Sequence, residues 1–178
     1  RFFSLGLTLA PDAPRVLVLG GGAYSFPRHI LAARPGASVT VVELDPGVTG
    51  LAEKFFELAP RPGLTIVHED ARVVVNRPGG PYDLIYLDAF GTDYAPPFHL
   101  VTREAAERIK SLLAPDGTVL VNAIGAVSGD GSRFVRSLAA TFVAVFNDVA
   151  LYPLGSADAQ QTTRNVTLLA RNRPGPLP

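Results

Sequence analysis

The sequence predicts an α/β fold, a three-layer sandwich built around one mostly parallel, seven-stranded sheet. Short β-rich runs alternate five times with helical stretches, which is the pattern of a parallel sheet covered by helices on both faces. The last two strands are separated only by a polar loop at about 153–164, which could form an antiparallel hairpin at one edge of the sheet. A length of 178 residues suits one domain with a sizeable core.

Seven short runs of the sequence are predicted as strands. The first ends at three consecutive glycines, a Pro/Gly turn at 77–81 precedes the fourth, and the turn signal Asp116-Gly117 precedes the fifth. In order, the predicted strands are Arg15–Leu19, Ser38–Glu43, Leu64–His68, Tyr82–Leu87, Thr118–Asn122, Phe142–Tyr152 and Asn165–Ala170.

Helical stretches separate most of these strands. Pro46 suits the first turn of one of them, in which Leu51, Phe55 and Leu58 share a face. Thr102 is the predicted N-cap of another. The helices are expected at about 27–33, 46–58, 71–75, after Thr102, and at 130–140. A mostly parallel seven-stranded sheet that ends in a hairpin is typical of Rossmann-like folds of the class I methyltransferase type.

The predicted organisation is a lead-in at 1–14, one α/β domain at 15–171 and a Pro-rich tail at 172–178. The chain begins with Arg1 and contains no Met, so we expect it to be a piece of a longer protein. No stretch approaches the ~18 apolar residues of a spanning helix, and no signal peptide is evident. We therefore expect no membrane contact by this segment and a cytoplasmic location, as an independent protein or as the soluble domain of a larger one.

Composition excludes several classes of function. The chain has 16 basic and 16 acidic residues and a net charge of zero, so it lacks the charge that nonspecific binding to nucleic acid requires. It has no Cys, which excludes disulfides, thiolate metal sites and a Cys nucleophile. Its three His are scattered and do not match the spacing of a metal site, so no metal is expected.

Residues suited to ligand binding follow four consecutive strands. In open α/β sheets ligands bind outside the carboxyl ends of the strands, and glycines there let the backbone approach a ligand closely. Glu43 could accept hydrogen bonds from both ribose hydroxyls, and Asp70 from the exocyclic amine of adenine. The series predicts an adenosine-containing ligand with one further carboxylate near its reacting end. Its members are Gly20, Gly21 and Gly22, then Glu43, then Asp70, then Asp88.

Other candidates surround this series. Leu44 and Ala71, next to two of the acids, are predicted to line the same site. Tyr24 could stack on the ligand or simply pack in the core. His99 is either a base or a solvated loop residue, and Asn122 could face the cleft from the end of the fifth strand. Single acids at strand ends are more often turn or cap residues, so the prediction depends on the whole series.

Four segments together resemble the spermidine synthase family, the polyamine aminopropyltransferases. They are Val16–Gly22, Val41–Pro46, Glu69–Ala71 and Tyr82–Ala89. The likeness extends from Arg15 to about Leu120 and more loosely to Ala170. It is strongest to the divergent spermidine synthase-like group, often fused to membrane segments, which has Asp-Ala-Phe after this strand. By this resemblance Glu43 would bind the ribose and Asp70 the adenine, while Asp88 would face a sulfonium donor and an acceptor amine.

The sequence also departs from that family. The glycine loop continues as Ala23-Tyr24 where the family has Asp-Gly, so one carboxylate is missing. The family's second catalytic Asp would fall at Gly91, and the nearest acid, Asp93, is predicted to take its part. The family's N-terminal β-hairpin domain has no counterpart in the 14 residues before the first strand. An ammonium that leaves water needs compensating charge, so these changes weaken the case for a polyamine substrate.

Three functions follow as hypotheses. The first is a spermidine synthase-like transferase that moves an aminopropyl or methyl group from S-adenosylmethionine or its decarboxylated form to a small nucleophile, chiefly an amine. A methyltransferase with a non-polyamine substrate is its alternative. The second is a nicotinamide-dependent oxidoreductase, disfavoured because Ser25 takes the place of the third glycine. The third is a non-catalytic nucleoside-binding module of a larger, membrane-fused protein. A homodimer is an expected assembly of the first.

Overall fold

The computed structural model describes residues 3–89, 96–155 and 162–173. Short 3-10 turns in these ranges lie at Phe98–Leu100 and Asp130–Ser132. The strands are β1 (Arg15–Leu19), β2 (Ser38–Glu43), β3 (Leu64–His68), β4 (Tyr82–Leu87), β5 (Leu113–Gly125), β6 (Asp148–Pro153) and β7 (Arg164–Arg171). The helices are α1 (Ser4–Leu9), α2 (Ser25–Ala33), α3 (Pro46–Phe55), α4 (Ala71–Asn76), α5 (Arg103–Leu112) and α6 (Arg133–Val143).

The seven strands form one sheet in the order β3-β2-β1-β4-β5-β7-β6. Strands β1 to β5 pair in parallel, whereas β7 is antiparallel to both β5 and β6. After β3 the chain crosses to the other side of β1, so β1 and β4 are neighbours. A crevice opens outside their carboxyl ends, the place where open α/β sheets bind ligands. The predicted fold class, a class I methyltransferase-type sandwich with a terminal antiparallel hairpin, is confirmed.

The sheet is buried on both faces by two apolar clusters. Leu17 and Leu19 of β1 point to one cluster, and the intervening Val16 and Val18 point to the other. This alternation follows from the two-residue period of a strand. Helices α4, α5 and α6 cover the first face through Val75, Ile109 and Leu138, and helices α1, α2 and α3 cover the second through Leu7, Ile30 and Ala52.

The four strands that lead to the predicted site have their predicted bounds, but the later elements differ. Strand β5 is longer than predicted on both sides. The prediction that Phe142 begins a strand is wrong, because this residue lies in the last turn of α6. Val135, Leu138 and Phe142 are buried there at helical spacing, and the Phe142 ring stacks on Phe146 with 5.6 Å between the ring centres.

The lead-in contains helix α1, where no element was expected. Leu7 is buried against the sheet, and the Tyr86 hydroxyl donates to the carbonyl oxygen of Phe3 at 3.0 Å. The Phe3 ring lies 5.0 Å from the Tyr86 ring and 5.1 Å from the Phe26 ring. The lead-in therefore packs onto the sheet beside the carboxyl end of β4. The predicted domain boundaries at 15 and 171 stay a prediction.

Candidate functional site

A cleft of about 460 Å³ lies outside the carboxyl ends of β1 to β4. It brings together most of the residues that the sequence selects for nucleoside binding. Those that line it are Gly20, Gly22, Glu43, Leu44, Asp70, Ala71 and Asp88. Gly21 and Tyr24 line an adjoining cavity instead, in which Asp88 also takes part. The predicted residues thus lie at one edge of the sheet, in the order of the strands.

The glycine loop after β1 passes very close to the end of β4. The Gly20 N–H donates to the carbonyl oxygen of Val42 at 2.8 Å, and the Asp88 N–H donates to Leu19 at 2.9 Å. Gly20 has a φ of +105°, and a Cβ at this position would lie 2.5 Å from the backbone oxygen of Asp88. Only glycine fits both the conformation and the space.

Glu43 is held against this loop by backbone donors. Its Oε2 accepts from the N–H groups of Gly21 and Gly22 at 2.8 and 3.3 Å, and its Oε1 accepts from Asp45 at 3.0 Å. A carboxylate has about four acceptor positions, so about one remains on Oε1. Glu43 therefore fixes the glycine loop and still presents an acceptor to the cleft.

Asp70 serves as the N-cap of α4 and also faces the cleft. Its Oδ1 accepts from the Arg72 N–H at 2.6 Å and lies 3.8 Å from Nε2 of His99. The guanidinium of Arg72 in turn donates to the backbone oxygen of His99 at 3.2 Å. The structure thus places His99, which the sequence left open as a base or a solvated residue, beside Asp70 in the wall of the cleft.

Asp88 lies where several cavities meet. Besides the large cleft, it lines a second cavity of about 240 Å³. The other residues of this second cavity are Phe3, Phe26, Asn122, Leu154, Asn165 and Thr167. Burial raises the pKa of the Asp88 carboxyl above its usual value, and a hydrogen bond from Asn122 opposes this effect. Asp88 is thus the one charged group among the described residues that face both spaces.

Tyr24 is fully buried rather than directed into the large cleft. Its ring packs against Gly21, and its hydroxyl hydrogen-bonds with Oγ1 of Thr49 at 2.6 Å. The same Oγ1 of Thr49 also hydrogen-bonds with Nε2 of His68 at 2.9 Å. Burial is the main cause of the raised pKa of the Tyr24 hydroxyl. Of the two roles that the sequence left open for Tyr24, the structure shows packing in the core, where the ring supports the glycine loop.

We expect Tyr24→Phe to lower the free energy of unfolding by about 1 kcal/mol, because it removes one buried hydrogen bond and keeps the ring. Binding of S-adenosylmethionine, the donor expected from the sequence, should be unchanged, since Tyr24 does not line the large cleft. Urea unfolding and calorimetric titration measure the two effects. A loss of donor affinity without a loss of stability would show that Tyr24 contacts the ligand.

Asn165 is a site residue that sequence reasoning missed, while Asn122 was only a candidate. Asn165 lies on β7, and nothing in the local sequence shows which residue of β5 it approaches. The second predicted catalytic acid, Asp93, lies outside the described residues.

No group of three or more His, Asp or Glu in 3–89, 96–155 and 162–173 could hold a metal ion. No helix in these ranges is long and apolar enough to span a membrane.

No protein-family model matches the chain. A polyamine aminopropyltransferase of Vibrio vulnificus (strain CMCP6) is 34% identical over 151 residues, which cover 83% of this chain and 48% of that protein. A probable spermidine synthase from Corynebacterium glutamicum has a TM-score of 0.82 at 25% identity, covering 97% of this chain and 63% of that one. The chain is a divergent member of the spermidine synthase-like family. The resemblance found in the sequence is thereby confirmed.

The spermidine synthase-like chain also shares its fold with a methyltransferase. The crystal structure of human methyltransferase-like protein 13 in complex with SAH has a TM-score of 0.80 at 22% identity, covering 96% of this chain and 80% of that one. The chain spans about half of the aminopropyltransferase from Vibrio vulnificus, since the match covers 48% of that protein's length. The fold is therefore shared with a methyltransferase as well as with a spermidine synthase.

Proposed function

We propose that the chain is a transferase that moves an aminopropyl or methyl group from an S-adenosylmethionine-type sulfonium to a nucleophile, chiefly an amine. The observation that carries this proposal is the position of Asp88, in the wall between a nucleoside-sized cleft and a second cavity. One cavity would hold the donor and the other the acceptor, with the reacting atoms beside Asp88. The names of the relatives agree with this chemistry, since they are an aminopropyltransferase and a spermidine synthase.

The charge of the large cleft suits a cationic donor. Its described lining contains five carboxylates and neither Lys nor Arg, and His99 is its only other titratable group. Glu69 is paired with Arg77, so a sulfonium gains attraction mainly from the other four carboxylates, whereas an anionic ligand would be repelled. The five carboxylates belong to Glu43, Asp45, Glu69, Asp70 and Asp88. The free acceptor position on Glu43 and the carboxylate of Asp70 would hold the ribose and the adenine, respectively.

The proposed reaction is an in-line displacement. The lone pair of the nucleophile forms a bond to the carbon attached to sulfur, and the carbon–sulfur pair stays on sulfur, which becomes a neutral thioether. An ammonium acceptor must first lose a proton, and Asp88 would receive it. Because the sulfonium is already activated, holding the two reactants in line supplies much of the rate.

Methyl transfer to an acceptor other than a polyamine is the second candidate. It is supported by the second cavity, where Asp88 is the only charged side chain among the described lining residues and Phe3, Phe26 and Leu154 are apolar. A polycationic amine would need more compensating charge than one carboxylate supplies. The absence of an acid at Ala23 points the same way, while the family resemblance favours aminopropyl transfer.

Calorimetric titration with S-adenosylmethionine, decarboxylated S-adenosylmethionine and NAD tests the donor site. We expect one of the two sulfonium compounds to bind. Glu43→Gln should lower its binding affinity by about 10- to 100-fold, because hydrogen bonds to charged groups contribute about 1.5–3 kcal/mol. Glu107→Gln, on the exposed face of α5, is the matched control and should bind normally.

Three results would count against the proposal. Binding of NAD alone would indicate an oxidoreductase, and binding of neither sulfonium would remove the donor. Binding without transfer to any amine would favour a non-catalytic nucleoside-binding module.

A further inference from the structure

Two asparagines on neighbouring strands form a chain of hydrogen bonds that ends at Asp88. The Nδ2 of Asn122, on β5, donates to Oδ1 of Asp88 at 2.8 Å. The Nδ2 of Asn165, on β7, donates to Oδ1 of Asn122 at 3.2 Å. In the antiparallel register Asn122 faces Thr167 and Asn165 faces Ile124, so the two asparagines are diagonal neighbours on one face of the sheet.

The direction of these two hydrogen bonds follows from the chemistry of the amide group. An amide donates through nitrogen and accepts through oxygen, whereas an ionised carboxylate only accepts. The bond from Asn165 turns the oxygen of Asn122 toward β7, which leaves its NH₂ group facing Asp88. A protonated Asp88 that donated to Asn122 would have to compete with Asn165 for the same oxygen. The arrangement therefore matches the ionised form of Asp88.

We propose that Asn165 is a positioning residue that, through Asn122, keeps the carboxylate of Asp88 ionised and directed between the two cavities. The proposal rests on the proposed function only in taking Asp88 as the group that receives the proton of the acceptor. Asn165 itself is exposed and does not touch Asp88 through any described hydrogen bond. Its effect on Asp88 passes through the orientation of one amide.

The surroundings of Asp88 make this chain of hydrogen bonds important for its ionisation. The titratable groups that share the large cleft with Asp88 are Glu43, Asp45, Glu69, Asp70 and His99. Among the described residues that line its other cavities, none besides Asp88 carries a charge. Burial raises the pKa of Asp88, and the hydrogen bond from Asn122 is the contact that opposes this effect.

The test is the pKa of Asp88 itself, measured by a carbon-13 NMR titration of the aspartate carboxyl groups in the free chain. Asp88→Asn assigns the resonance. In Asn165→Asp, the introduced carboxylate attracts the NH₂ group of Asn122 and turns its oxygen toward Asp88, so we expect the pKa of Asp88 to rise by about one unit or more. Asn165→Ala adds no charge and should raise it by a smaller amount.

Asn147→Asp is the matched control, because Asn147 is an exposed amide next to β6 that donates to the backbone of Asn172 instead. It makes the same change of charge away from Asp88 and should leave the pKa of Asp88 unchanged. If Asn165→Asp and Asn165→Ala also leave that pKa unchanged, the proposal is wrong. If the pKa rises but the acidic limb of the pH profile of transfer does not follow it, the chain of hydrogen bonds exists and the role of Asp88 in the proposed reaction fails.

Discussion

Asp88→Asn is expected to lower the rate of group transfer by about 10²- to 10⁴-fold, the usual contribution of a general base. The reason is that an amide cannot take a proton from the acceptor. The introduced amide can still accept the hydrogen bond from Asn122, which Asp88 accepts at 2.8 Å, so the fold should be retained. Donor affinity should stay within about tenfold, equal to ~1.4 kcal/mol, because Glu43 and Asp70 would hold the nucleoside.

The measurement is transfer from labelled donor to an amine, with donor affinity determined by calorimetry on the same variant. Asp116→Asn is the control, since Asp116 pairs with Arg173 on the exposed surface. Full activity of Asp88→Asn would show that the assigned role is wrong. Burial raises the pKa of Asp88, so this carboxylate becomes protonated at a higher pH than an exposed one. On acidification, the wild-type transfer rate should therefore begin to fall at a higher pH than it would with an exposed carboxylate as the base.

The residues of the large cleft, which we propose binds the donor, could be predicted because their positions depend on local sequence. Strands β1 to β4 are short apolar runs with clear ends, and a parallel sheet puts all those ends at one edge. The residues that follow the strands must then lie close together, whatever the lengths of the helices between them. Glycines, Glu43, Asp70 and Asp88 indeed meet in one cleft.

The second cavity, which we propose binds the acceptor, could not be predicted, because it depends on contacts between distant parts of the chain. Asn165 and Asn122 are 43 positions apart in the sequence, and only the register of two antiparallel strands brings them together. Phe3 reaches the second cavity because α1 packs on Tyr86, which no periodicity in the lead-in indicates. For Tyr24 the sequence left two positions open, since a tyrosine after a glycine loop can face a ligand or the core.

Gly20→Ala is expected to destabilise the domain more than Gly22→Ala, the other change in the glycine loop at a positive φ. Alanine rarely adopts the φ of +105° found there, and its Cβ would lie 2.5 Å from the oxygen and 2.8 Å from the carbonyl carbon of Asp88. Those are backbone atoms, which cannot rotate away as the end of a side chain can. Strain of about 1–3 kcal/mol and overpacking of about 1–3 kcal/mol together lower the free energy of unfolding by about 2–6 kcal/mol.

Gly22→Ala separates the two contributions. Gly22 has a φ of +51°, and a Cβ there would meet nothing within 4 Å, so only the conformational strain should appear. Urea unfolding of both variants gives the comparison. Equal losses in the two would mean that the close approach of the loop to Asp88 does not limit the residue at position 20.

The position of Gly20 also links stability to the proposed chemistry. Its N–H is bonded to Val42 of β2, and the N–H of Asp88 is bonded to Leu19 of β1, so the loop joins three strands. An added methyl group that pushes the loop away from β4 should therefore displace both Asp88 and the backbone donors that hold Glu43. In Gly20→Ala kept folded at low temperature, we expect donor affinity to fall by about tenfold or more, ~1.4 kcal/mol. A destabilised variant that binds the donor normally would show that the loop does not position Glu43.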